Sequence, residues 1–209
     1  MKTYPIMLDL RDRLAVVVGA GPVGLRKVEG LLAAEARVML IDSQPPDQAV
    51  PEAVDVRSES YRPDMLDGAA VVFACTDHPE LNSRIAADAR AAGALVNVAD
   101  VPNECDFYAA SVVRRGDVVL AIGTGGTSPG MAAWLRKHLS GHLPDRIDAF
   151  AETLESLRAD VRIALPDDSK RRMSVMKRLV CDEVYDAFLT GGPQTVRDRL
   201  RQLLEGSEA

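Results

Sequence analysis

The stretch from Leu14 to Asp42 limits what this chain can fold into more than any other. Leu14-Ala15-Val16-Val17-Val18 is a continuous apolar, largely β-branched run, the pattern of a strand buried on both faces. It leads directly into Gly19-Ala20-Gly21-Pro22-Val23-Gly24, a complete G-x-G-x-x-G. Leu25, Val28, Leu31 and Leu32 then fall on one side of a helical pattern, and Arg37-Val38-Met39-Leu40-Ile41 reads as a second strand ending at Asp42. In such a unit Gly19 makes the tight turn, Gly21 lets a pyrophosphate approach bare backbone, and Gly24 lets helix and strand pack closely. The helix N-terminus adds unbonded N–H groups and the positive end of its dipole. An acidic side chain about 20 residues past the glycines accepts hydrogen bonds from adenosine ribose hydroxyls and repels a 2′-phosphate. Asp42 stands there, so the expected cofactor is NAD rather than NADP, held by Gly19, Gly21, Pro22, Val23, Gly24 and Asp42. A glycine turn that binds no nucleotide is the competing reading; strand, fingerprint, helix, strand and acid in register argue against it.

The rest of the chain extends this unit. Ile6, Leu8 and Leu10 alternate with Met7 and Asp9, which predicts a short edge strand before a turn at Arg11-Asp12. Val54 to Ser58 and Ala70 to Cys75 read as the third and fourth strands, Leu81 to Ala92 as a helix closed by Gly93, and Leu95 to Val98 as the fifth strand. This alternation predicts an α/β fold, a Rossmann-type doubly wound parallel sheet. The pattern then changes. Residues 107–122 are two apolar strands around Arg114-Arg115-Gly116-Asp117, a hairpin signal. They lead to a second glycine-rich loop, Gly123 to Gly130, where Ser128 as N-cap and Pro129 as first helical residue start a helix. Beyond Asp145 three helices are expected, 147–164, 168–189 and 193–205. The predicted organisation is a nucleotide domain at 1–110, a linking and dimerisation segment at 111–145 and a helical domain at 146–209.

Composition narrows the function classes. The net charge of −6 over 209 residues argues against a general nucleic-acid binder. No apolar run approaches the roughly 20 residues of a membrane span, and the start of the chain has no signal-peptide pattern. The three cysteines are widely spaced with no C-x-x-C pair, which fits neither a disulfide framework nor a zinc ribbon. A cytoplasmic protein without membrane or nucleic-acid partners is expected.

In open α/β sheets the ligand lies outside the C-terminal strand ends. That rule selects the 19–24 turn, Asp42, Thr76 and Asp77 as cofactor-binding positions, with Asn97 to Asn103 nearby. Asp100 is the favoured catalytic residue, because a carboxylate after the fifth strand can take a proton as hydride leaves a neighbouring carbon. A turn cap before Pro102 is the equally weighted alternative. The 123–130 loop has backbone amides and a helix N-terminus suited to a carboxylate or phosphate. His138 and His142 share a helical spacing, but the H-E-x-x-H glutamate is absent and the helix ends there, so they read as helix-end histidines and no metal site is assigned. His78 reads as part of an Asp-His-Pro helix entry.

Five elements occur in an order that points to a family: Pro5-Ile6-Met7-Leu8-Asp9-Leu10, Val18 to Gly24 with Arg26-Lys27, Ala74-Cys75-Thr76-Asp77, Asn97-Val98-Ala99-Asp100 and Gly125-Gly126-Thr127-Ser128-Pro129. Together they resemble the precorrin-2 dehydrogenases of sirohaem and cobalamin biosynthesis, including the equivalent N-terminal part of bacterial sirohaem synthase. The resemblance covers residues 1–145 by motif and the remainder by length and helical character. It implies NAD-dependent oxidation of precorrin-2 to sirohydrochlorin; some members also insert ferrous iron. It further implies that Asp100 serves the dehydrogenation, and chelation where that occurs, that the 123–130 loop lies near the active-site cleft, and that the helical part completes an intertwined homodimer. The long C-terminal methyltransferase region of the fused enzyme has no counterpart, so methylation is not expected. Pro22 departs from an ideal glycine turn by removing one amide that could face the pyrophosphate.

Precorrin-2 is a polycarboxylate, and an acidic protein must present local cations to hold it. Arg114, Arg115, Arg136 and Lys137 flank the second glycine loop and, with Thr124, Gly125, Gly126, Thr127 and Ser128, are the substrate-binding candidates. Solvated surface is the plainer reading of such basic pairs. Two alternatives stay open: a bifunctional dehydrogenase and ferrochelatase, and a nucleotide-sensing domain without chemistry.

Overall fold

The computed structural model describes residues 3–206 and divides into two compact units, one ending at Ala109 and one beginning at Ala110. The first holds β1 (Leu14–Val18), α1 (Pro22–Leu32), β2 (Arg37–Asp42), β3 (Val54–Ser58), β4 (Ala69–Ala74), α2 (Pro79–Ala91) and β5 (Leu95–Val98). The five strands are parallel in the order β3-β2-β1-β4-β5, the doubly wound sheet expected from the sequence.

The composition of β1 follows from its position. Val16 and Val18 pack with Ile85, Ala86 and Ala89 of α2 on one face, and Ala15 and Val17 with Val28 and Leu31 of α1 on the other. Successive strand residues point to opposite faces, so a strand covered on both sides leaves no place for a polar side chain. Each fully buried Val or Leu contributes roughly 1.5–3 kcal/mol. Because β1 pairs with β2 on one side and β4 on the other, the strand order reverses beside it, and a crevice opens at the C-terminal strand ends.

Residues 4–10 differ from expectation. They form no strand: Tyr4, Ile6 and Met7 are exposed, and only Leu10 reaches the core, beside Ala15 and Val17. Alternation makes a strand only where a neighbouring edge accepts its hydrogen bonds, and no strand among the described residues pairs with this segment. The turn at Arg11-Asp12 is present, with Asp12 at φ 58° and the Arg13 N–H donating to Leu10 O at 2.9 Å.

In the second unit β6 (Ser111–Arg115) and β7 (Val118–Ile122) form the expected antiparallel hairpin. α3 (Pro129–Ser140) follows, then α4 (Ile147–Ala164), α5 (Ser169–Arg178), α6 (Asp182–Gly191) and α7 (Pro193–Glu205). Phe150, Leu157, Val161, Leu179, Phe188, Val196 and Leu200 form the core of the helical part. The single helix expected over 168–189 is two. Leu179 is buried, Cys181 takes an extended conformation (φ −146°), and Asp182 and Glu183 open a new first turn where acidic side chains favour the helix dipole.

Candidate functional site

The glycine turn is held between its neighbours by backbone bonds. Gly19 N–H donates to Ile41 O at 2.8 Å, and Cys75 N–H to Val18 O at 2.7 Å, so the ends of β2, β1 and β4 are tied level. Gly19 has φ +108°, and a Cβ there would lie 2.5 Å from Cys75 O. A Cβ on Gly24 would lie 1.9 Å from Gly19 O. These two glycines are demanded by the fold. Gly21 is different: a Cβ there would meet nothing within 4 Å. It is the N-cap of α1 with Pro22 at the first helical position and no side-chain cap. The Gly21 and Val23 N–H groups have no acceptor among the described residues, as the first amides of an uncapped helix must.

Asp42 braces the turn from the end of β2. Its Oδ2 accepts the Ala20 N–H at 2.7 Å and its Oδ1 the Gln44 N–H at 3.0 Å. Each oxygen keeps a further lone pair for a ligand hydroxyl. Ala20 is thus withdrawn from phosphate binding, and Pro22 has no N–H to offer.

On the other side of β1, the β4–α2 turn is organised by a residue the sequence reading did not single out. Asn82, 5% exposed on α2, accepts the Thr76 hydroxyl (2.7 Å) and the Thr76 N–H (3.2 Å) on Oδ1, and donates from Nδ2 to Thr76 O (2.9 Å). Nothing local in the sequence marks Asn82 for this role, because packing sets its burial and its partners. Thr76 Oγ1 also accepts the His78 N–H at 3.2 Å. Asp77 and His78 are exposed and lie 3.3 Å apart, and His78 is the N-cap of α2 without a side-chain cap bond.

Cys75 lies buried at the base of the crevice. Burial pushes its thiol up to about 11, with Lys27 pulling down and Asp100 pushing up. It is a thiol at neutral pH. Asp100 follows β5 in the left-handed region at φ 60°, exposed, with the preceding Ala99 N–H bound to Ala74 O at 2.9 Å.

These groups line one cleft of about 960 Å³: the 19–23 turn, Asp42, Thr76, Asp77 and Asp100, floored by Cys75. Gly24 lies behind the turn in the helix–strand contact. Tyr61 and Arg84 also line it. The Arg84 guanidinium lies 5.6 Å over the Tyr61 ring, and the Tyr61 hydroxyl donates to Asp88 at 2.9 Å. Burial and that bond raise the Tyr61 hydroxyl well above its ordinary range.

The remaining predicted residues belong to the second unit. Arg114 and Arg115 are exposed on β6, and Arg136 and Lys137 are exposed on α3. In the 123–130 loop Thr124 Oγ1 donates to Ser128 O (3.0 Å) and accepts the Ser128 N–H (3.3 Å), while Ser128 Oγ caps α3 by accepting the Met131 N–H (3.2 Å). Gly125 and Gly126 have φ +61° and +81°, and Thr127 N–H closes a turn onto Thr124 O. His142 Nδ1 lies 2.8 Å from His138 O at the end of α3. No cluster of three or more His, Cys, Asp or Glu suited to a metal occurs among the described residues.

A parallel sheet of this order, with open backbone at a glycine turn and an acid at the end of β2, defines a dinucleotide-binding protein of the doubly wound class. The chain belongs to the putative NAD(P)-binding family, whose model matches residues 6–111. It is 31% identical over 212 aligned positions to the siroheme synthase of Nitrosomonas europaea, covering 99% of this chain and 44% of that protein. It is 33% identical to the siroheme synthase of Methylococcus capsulatus, covering 100% of this chain and 44% of that protein. The chain therefore spans under half the length of the curated relatives it matches. Among solved structures it is similar to SirC, precorrin-2 dehydrogenase, with a TM-score of 0.70 and 19% identity over 98% of this chain and all of that one. No helix among the described residues is long and apolar enough to cross a membrane.

Proposed function

We propose that this chain is a cytoplasmic NAD-dependent dehydrogenase that oxidises precorrin-2 to sirohydrochlorin. The observation that carries the reading is the cleft itself, in which open backbone at Gly21 and Val23 shares one space with Asp42, Thr76 and Asp100. The residues present fit a dinucleotide: a cradle that a Cβ at Gly21 would fill, two unbonded amides and the positive end of α1 for a pyrophosphate. Asp42 retains acceptor capacity for ribose hydroxyls and places negative charge where a 2′-phosphate would sit, which supports NAD over NADP. Bound NAD would supply a hydride acceptor. Thr76, fixed by Asn82, forms part of the cleft wall, and the Asp100 carboxylate takes the proton that the substrate loses.

In this reading residues 111–145 form a linking and dimerisation segment, and 146–209 a helical domain that completes a homodimer. The exposed Arg114, Arg115, Arg136 and Lys137, with the 123–130 loop, bind substrate carboxylates, for which guanidinium forks are suited. The names of the siroheme synthase relatives and of the SirC fold neighbour support the same substrate class.

The test is the absorbance of enzymatically generated precorrin-2 with NAD or NADP, in wild type and Asp100→Ala. Conversion with NAD that collapses in the variant is expected. Conversion that survives returns Asp100 to the role of turn residue, and dinucleotide binding without turnover would point to a sensing domain. Ferrous ion added afterwards, against a protein-free control, decides whether metal insertion is a second activity.

A further inference from the structure

β5 is the last strand of the sheet, and the described residues add no sixth beyond it. The N–H and C=O groups of Val96 and Val98 turn away from β4 and need partners. They find them in the returning segment 104–107, largely in side chains. Asp106 Oδ2 accepts the Val96 N–H at 3.0 Å while the Asp106 N–H donates to Val96 O at 2.8 Å. Cys105 Sγ accepts the Val98 N–H at 3.2 Å and lies 3.2 Å from Val98 O and 3.4 Å from Val101 O, its one proton shared between them. Asn97 Nδ2 reaches the same sulfur at 3.5 Å and donates to Phe107 O at 2.8 Å. Arg90 clamps the outside through Asp106 (3.0 Å) and Glu104 O (2.7 Å).

Residues 99–104 thus form an arch whose base is a strand-like pairing and across which one half-buried thiol bonds to Val98 and Val101. Asp100, in its left-handed conformation, sits on this arch at the rim of the cleft. We propose that Cys105 is a positioning residue for Asp100: its sulfur ties both ends of the arch to the edge of β5 and so sets where the Asp100 carboxylate stands. Sulfur suits the place because it both donates and accepts, yet is apolar enough for Cys105 and Val101 to pack against the α2-side core. The consequence for turnover rests on the proton-accepting role given to Asp100 above; the hold on the arch does not.

Cys105→Ala, Cys105→Ser, Asp100→Asn and the double variant Cys105→Ala/Asp100→Asn separate the two. Hydrogen exchange on the full chain reads the arch without activity. Cys105→Ala is expected to lose protection over residues 95–106 and retain it over 14–42, with Cys105→Ser intermediate because a hydroxyl reaches less far. In precorrin-2 turnover kcat is expected to fall about 100-fold in Cys105→Ala, the order of loss for an ångström of misplacement, with KM for NAD unchanged. In the Asp100→Asn background the same change should cost nothing further. Unchanged protection in Cys105→Ala, or an equal loss of kcat in both backgrounds, overturns the proposal. Should Cys105→Ala fail to fold, Cys105→Ser with wild-type exchange and kcat overturns it equally. Absence of turnover in wild type would refute the dehydrogenase reading alone and leave the exchange arm to decide the proposal.

Discussion

Replacing Asp42 with asparagine separates a job that its carboxylate performs within the fold from the cofactor-selecting job proposed for it. The first is internal. Its Oδ2 accepts the Ala20 N–H at 2.7 Å in a part-buried, charge-assisted bond, and its Oδ1 accepts the Gln44 N–H at 3.0 Å in an exposed one. An amide has one oxygen for these two donors and turns an NH₂ group toward the other. If the oxygen stays with Ala20, the loss is the exposed bond plus the charge assistance, about 1–2 kcal/mol; if it goes to Gln44, the Ala20 donor is stranded at up to about 3 kcal/mol. In a domain of this size that lowers Tm by roughly 4–8 °C per kcal/mol. The second job, the proposed one, is external. Loss of an ionised acceptor for ribose hydroxyls weakens NAD by about 1.5–3 kcal/mol, a roughly 12- to 150-fold rise in Kd, while removal of the negative charge relieves NADP. Calorimetric titration with both dinucleotides and a thermal melt of the ligand-free chain measure the two separately. An unchanged Tm would refute the brace, and an unchanged NAD-to-NADP ratio would refute the specificity argument.

Other positions yield sharper contrasts. Gly21→Ala and Gly24→Ala are one methyl each, but the first meets open space and the second a carbonyl oxygen at 1.9 Å. Gly21→Ala should keep stability within about 0.5 kcal/mol and lose at least tenfold in dinucleotide affinity, whereas Gly24→Ala should cost more than about 4 kcal/mol in denaturant unfolding. Asn82→Ala removes three bonds to Thr76, so it should destabilise by about 1–3 kcal/mol and impair NAD binding; full affinity in a folded variant would count against the Thr76 turn as part of the site. The Cys75 thiol is raised on folding, so its contribution to stability is complete below the ordinary thiol value near 9 and is lost as pH rises through about 11. Alkylation should accordingly be slow at pH 7, speed up toward pH 11 and be slowed by bound NAD; fast labelling at pH 7 would contradict a buried thiol.

How far the sequence sufficed differs from element to element. The order of strands and helices, the turn at Gly19 and the helix start at Ser128 were legible because each is a local matter: apolar periodicity, a forced φ and a cap lie within a few residues of one another. The expected strand over residues 4–10 and the unbroken helix over 168–189 were misjudged because alternation and helical periodicity say nothing of whether an edge is free or a chain must turn. The position of Asp42 was visible in its spacing, but its grip on the Ala20 amide was not, since that bond spans 22 residues of sequence. Asn82 and Cys105 were not visible as participants at all. Their side chains act on backbone groups of β4–α2 and β5, and only packing shows which backbone groups lack partners. By itself the sequence determined the doubly wound class and the need for glycine at positions 19 and 24, because those demands are steric and short-range. Tertiary structure alone decided which acid already carries a structural bond and how the arch bearing Asp100 is held, because unsatisfied donors and acceptors find their partners across the sheet rather than along the chain.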